Sequence, residues 1–219
     1  LHINYAQTLV PSLRSNAWAT TGNYGAEGQN QIFFDRKEHS QFFFEDALST
    51  WLTSVENQTF YNTRIPMTLL AYTTGGNKYS NQDRTTGVFS GNVNKKIALG
   101  AAMDYIYSKG SYNYQADKDF SWRLFGSYIG DRYEFQGFFN NYNFLNKESG
   151  GITDDRYITD PAEVQGGSTK VDYKTIPVNL SAAHSQIWGH EFYMNHRYKV
   201  GYYHYLRDSV ADTIVGRVY

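Results

Sequence analysis

Cysteine is absent, proline is scarce at 4 in 219 residues, and the net charge is only −1. Without cysteine there is no disulfide, no zinc–thiolate centre and no thiol nucleophile. A pI near 6.7 leaves no basic footprint for nucleic acid. No run of like charge marks a tail. No stretch approaches the ~18 consecutive apolar residues of a spanning helix, so a helical membrane protein is excluded. The start, "LHINYAQTLV", carries no signal-peptide pattern, so a processed or partial chain is expected. What the chain has in quantity is aromatic side chains, 20 Tyr, 14 Phe and 4 Trp, beside 19 Gly. Mean hydropathy is −0.58, polar on average. Strands that alternate between lipid and water average out to such a value.

The stretch "NVNKKIALGAAMDYIYSKG" allows two readings, a helix with a misplaced acid or a strand with two faces. Odd positions from Ile97 through Leu99, Met103 and Tyr105 to Tyr107 are apolar or aromatic. Even positions Ala98, Gly100, Ala102, Asp104 and Ser108 are small or polar, with Ile106 the exception. That is the strand period. Gly100 also disfavours a helix. With Asn94 to Lys96 as a three-residue link to "TTGVFSGNVN", Gly91 faces Leu99 and Gly87 faces Met103, so glycine backbone is covered by larger partners.

The pattern recurs. "DFSWRLFGSYIG" and "RYEFQGFFNNY" form a second hairpin through a two-residue turn at Gly130-Asp131, with Gly126 facing Phe135. "TIPVNLSAAHS" and "EFYMNHRYKVGYY" are expected to form a third, turning at "QIWGHE". "RIPMTLLAYTTGG" is a strand from about Pro66 to Thr73; "AEGQNQIFFDR" and "STWLTSV" are further candidates. Short links near Lys95, Asp131 and Trp188 alternate with longer ones, and a polar link "RDSVADT" follows the last strand. Short turns then lie at one end of the sheet and long loops at the other, as in outer-membrane barrels. The fold class is all-β, an antiparallel up-and-down transmembrane β-barrel, with about eight to ten strands here as part of a larger barrel. Residues 1–60 lead in and 61–219 supply strands and long loops, notably 143–173.

A soluble barrel or sandwich also alternates, but turns its apolar face inward. Lipid is favoured by aromatics near strand ends on the apolar face: Tyr105, Tyr107, Trp122, Tyr128, Tyr133 and Tyr202. The opposite face is rich in Ser, Asn, Gln and Gly with scattered charges, which suits a wet lumen.

The segments "FYNTRIPMTLLAYTTGG", "NVNKKIALGAAMDYIYSKGSY", "NNYNFLNKESGGITDDRYITDP" and "IPVNLSAAH…FYMNHRYKVGYY" resemble the putative porin family of Bacteroidetes outer membranes. "TGNYGAEGQNQIFFDR" is similar to that family's segment before the barrel repeats. The resemblance runs from about Gly22 to Tyr205. It implies a bacterial outer-membrane barrel longer than this chain. The terminal aromatic Tyr219 is compatible with an outer-membrane β-signal.

Asp104, Arg123, Glu134, Gln136, Asn140, Asn195, Arg197 and Lys199 fall on the expected lumen face, where they would set the field felt by a solute. The plain alternative is solvated or cross-strand-paired groups with no role in selectivity. Asp154, Asp155 and Asp160, with Glu163, form an oxygen-rich loop open to a calcium reading, although such acids are also common turn residues. His184, His190, His196 and His204 cluster late in the chain without the HExxH spacing. His196 on the apolar face is an anomaly. "NQT" and "NLS" match a glycosylation pattern but are discounted. No catalytic motif appears, so no enzyme activity, cofactor or metal is expected. Passive diffusion of small solutes is the leading expectation, with outer-membrane lipid and solutes as partners. A barrel that binds another surface protein or a glycan through its loops is an alternative; so is a soluble carbohydrate-binding module.

Overall fold

The computed structural model describes residues 18–20, 22–36, 42–55, 57–77, 79–202, 204–207 and 214–218. Tyr219 and residues 208–213 of the "RDSVADT" link lie outside these. Ten strands are present among the described residues. Two short ones, β1 (Trp18–Thr20) and β2 (Gly28–Asn30), pair with each other. The six that follow form one antiparallel meander: β3 (Met67–Gly76), β4 (Asn81–Asn92), β5 (Ile97–Lys109), β6 (Ala116–Ile129), β7 (Tyr133–Lys147) and β8 (His184–Tyr198). The last two, β9 (His204–Arg207) and β10 (Ile214–Val218), pair separately. Among the described residues the six-stranded sheet stays open, with β3 and β8 at its edges. No helix among them is long and apolar enough to cross a membrane.

The first hairpin has the expected register: Gly91 pairs with Leu99 and Gly87 with Met103. The Asn94 side chain accepts from the backbone N–H groups of Lys96 and Ile97, at 2.8 and 2.9 Å, and so shapes the link. The second hairpin differs. Three residues, 130–132, separate the strands, the Gly130 N–H donates to the Tyr133 carbonyl, and Gly126 pairs with Gly137 rather than Phe135. A shift of two residues leaves both faces unchanged, because the side-chain period is two.

The third hairpin does not form. β8 runs straight through "QIWGHE", and Gly189 pairs with Tyr142. A Cβ at Gly189 would lie 2.6 Å from the Tyr142 hydroxyl. This glycine makes room for a ring instead of turning the chain. "TIPVNL" belongs to the link 148–183, which begins and ends as a ladder: Leu180 N–H donates to the Ser149 carbonyl and Thr153 N–H to Pro177. Residues 143–147, expected in the loop, are still strand. "STWLTSV" is not a strand either; a 3₁₀ turn, Phe43–Leu48, precedes it.

Links 93–96 and 130–132 lie at one end of the meander, the short-link end; 77–80, 110–115 and the long link 148–183 lie at the other, although 77–80 is no longer than 93–96. The long link contains two one-turn helices, α1 (Arg156–Thr159) and α2 (Pro161–Val164). Its Tyr173 ring meets Tyr79 and Tyr112, at centroid distances of 5.9 and 6.0 Å, so it reaches across the other two links. Lys174 Nζ donates to the Gly110 carbonyl at 2.7 Å.

Candidate functional site

The two faces of the sheet have different surroundings. On the odd face of β5, Leu99 and Met103 are 53 % and 41 % exposed; on the even face Ala102 and Ile106 are 7 % and 2 %. The exposed face continues with Leu70 and Phe89, then Leu124, Phe192 and Met194. A soluble sandwich would bury such a face. Here it is the outside, and apolar, as a lipid-facing wall requires.

Five of the six residues expected to form an aromatic belt, Tyr105, Tyr107, Trp122, Tyr128 and Tyr133, lie on this outer face. Tyr128 and Tyr133 meet near the short-link end with centroids 6.0 Å apart. His196, on the same face, is 6.2 Å from Tyr133. An imidazole beside tyrosines at a water interface keeps a wet polar edge. Tyr105 and Tyr107 stand toward the other end of β5, while Tyr202 is exposed beyond β8. Trp122 sits deeper, between Met103 and Asn141 in register.

Seven of the eight expected lumen residues lie on strands of the opposite face, but in two environments. Near the short-link end, Glu134 pairs in register with Arg197 and Gln136 with Asn195. Glu134 forms ion pairs with Lys199, just beyond β8, at 2.6 Å and with Arg197 at 3.6 Å. Gln136, Asn195 and Arg197 are exposed and Lys199 is half-buried, so this part of the wall is wet. Asp104, Arg123 and Asn140, further along, are covered. Asp104 accepts a two-pronged bond from Arg84, with Nε at 2.9 Å. The Arg84 Nη1 also donates to the Tyr24 hydroxyl at 3.2 Å. Arg123 donates to the Thr53 hydroxyl, and Asn140 Nδ2 reaches the Thr53 carbonyl at 3.4 Å.

The cover is the N-terminal segment. Leu48, Trp51 and Leu52 form one buried cluster with the wall residues Ile106, Tyr142 and Phe144. Phe60 and Tyr61 pack on a second, of Ala102, Phe125 and Phe138. Trp51 Nε1 donates to the Ala26 carbonyl at 2.9 Å, folding the segment on itself. Its ring stands edge-on to Tyr24 at 5.0 Å and lies 5.9 Å from the Arg84 guanidinium. Glu45 accepts from the Tyr142 hydroxyl at 3.2 Å, and Glu27 accepts from Asn146 and Ser185. An entirely wet lumen is therefore corrected: the middle of this face carries aromatics that need a cover. Phe138, Tyr142 and Phe144 share the parity of Glu134, a signal legible in the sequence. Arg84, on the same face of β4, was missed because its partner is on a neighbouring strand.

In the acidic loop the carboxylates are engaged by the loop itself. Arg156 holds Asp154 at 2.6 Å and Glu163 at 3.3 Å, and Asp154 accepts the Arg156 backbone N–H. The guanidinium holds the Asp154 carboxyl below the usual range, and the acid in turn raises Arg156. Asp155 precedes α1 and Asp160 separates α1 from α2, as turn acids. No group of three or more acids or histidines suited to a metal occurs among the described residues. His190 instead bonds Asn141 at 2.7 Å and stacks on Phe139.

An up-and-down sheet with an apolar outside and ionisable groups inside defines the wall of a transmembrane β-barrel. The chain belongs to the putative porin family, whose model matches residues 1–217. No curated protein and no solved structure matches it.

Proposed function

We propose that the protein is an outer-membrane barrel of bacteria, on the Bacteroidetes pattern, through which small solutes diffuse without cofactor or catalysis. The observation that carries this reading is the division of β5 to β8 into an exposed apolar face and a face holding every lumen residue those strands supply. Family membership agrees with it. Gln136, Asn195 and the Glu134–Arg197–Lys199 group supply a wet stretch of lumen with both signs of charge, so strong selection for one ion sign is not expected. The partners are outer-membrane lipid and the permeating solute. Planar-bilayer conductance and sugar uptake by proteoliposomes test the reading, using the full-length protein and its Trp51→Ala variant. Conductance from either supports it; silence from both overturns it.

A second reading rests on the long link. Tyr173, held between Tyr79 and Tyr112, makes 148–183 a shaped platform at the long-link end. It would dock another surface protein or a glycan. Loss of binding to cell-surface glycan on removing 154–176, with conductance intact, is the expected result; unchanged binding rejects it.

A further inference from the structure

We propose that the described residues 22–36, 42–55 and 57–61 form a plug that closes the lumen and can leave it without unzipping the wall. The proposal rests on the porin reading for the solute path, but its structural basis is separate. The segment touches wall strands from β4 to β8. Tyr24 reaches Arg84 on β4, and Trp51 and its neighbours pack on Ile106 of β5. Thr53 engages Arg123 on β6 and Asn140 on β7, and Glu27 reaches Ser185 on β8. A solute moving along this face meets protein from Ile106 down to Ala102.

Every hydrogen bond named above has a side chain at one end or both. Among the described residues, β1 and β2 pair with each other and add no strand to the meander. The apolar contacts and hydrogen bonds can be broken while every ladder bond of the wall stays intact. One corner is poorly satisfied. Gly25 lies over Asp119, where a Cβ would stand 2.7 Å from Oδ2. Asp119 Oδ2 is buried there with no hydrogen-bond partner. A buried unpartnered carboxyl oxygen opposes docking. A permanently fixed filling has no use for that opposition; a releasable one does.

The chain has no cysteine, so single cysteines report access cleanly. Ala102→Cys lies under Phe60 and Tyr61, whereas Asn195→Cys lies on the same face where it is open. In reconstituted full-length protein a charged, membrane-impermeant thiol reagent should label Asn195→Cys at least tenfold faster than Ala102→Cys. Adding Trp51→Ala should remove most of that difference and raise single-channel conductance. Ser121→Cys, also buried, replaces Ala102→Cys if the latter misfolds. Equal labelling of the two sites without Trp51→Ala overturns the plug, as does protection that Trp51→Ala leaves unchanged. Labelling needs no conductance, so a failed plug and a failed porin reading give different results.

Discussion

Both faces of the six-stranded sheet carry large apolar side chains, yet only one hides them. Leu124 is 53 % exposed, while its chain neighbour Phe125 is 5 % exposed. They differ in what lies opposite. Phe125 meets Phe60 and Tyr61 of the same chain, with centroids 6.2 and 6.1 Å away. Leu124 is left half-exposed on the outer face, and lipid is the partner its surroundings call for. An apolar side chain on a strand thus states that it needs an apolar neighbour, without stating which.

The largest expected effect breaks the inner side. Trp51→Ala removes a buried indole, its bond to Ala26 and its place beside Arg84. It should weaken docking of 22–61 by about 3–5 kcal/mol. Limited proteolysis of the folded barrel should then cut within that segment; persistent protection would mean the cover does not depend on this cluster. Next comes the outer side. Leu124→Arg puts a charge on the lipid face and should destabilise the inserted barrel by about 2–4 kcal/mol. Urea unfolding from lipid vesicles measures it, and a negligible loss would place Leu124 away from lipid.

Asp104→Ala sharpens the comparison between the covered and wet parts of the inner face. It leaves the Arg84 guanidinium without its carboxylate under the Tyr24 and Trp51 rings. A loss of about 1–3 kcal/mol is expected in the same unfolding assay. Lys199→Ala, in the wet part, should change stability by less than about 1 kcal/mol. Its effect should appear in reversal potential, shifted toward cations as one positive charge leaves the lumen. A stability loss as large as that of Asp104→Ala would show that the wet part is structural as well.

The sequence disclosed the wall better than its filling. Alternation along 97–108 put Asp104 opposite Met103, and the Asn94 link set a register that the fold keeps. The second hairpin slipped by two residues because turn length is decided by one hydrogen bond, from Gly130 to Tyr133. Gly189 was read as a turn because glycine marks turns and close approaches alike; only the Tyr142 ring shows which applies. Trp51 and Leu52 suggested a strand, since apolar spacing carries no record of a partner fifty or more residues away.

Composition and period two determined by themselves an all-β chain with one lipid-seeking face and one face bearing the ionisable groups. Those properties are local: they follow from adjacent side chains pointing opposite ways. Tertiary structure decided that the second face is only partly wet, that Arg84 pairs with Asp104, and that Trp51, Phe60 and Tyr61 cover Tyr142, Phe125 and Phe138. These outcomes depend on contacts between distant parts of the chain, and burial is settled by which surface is left to meet which.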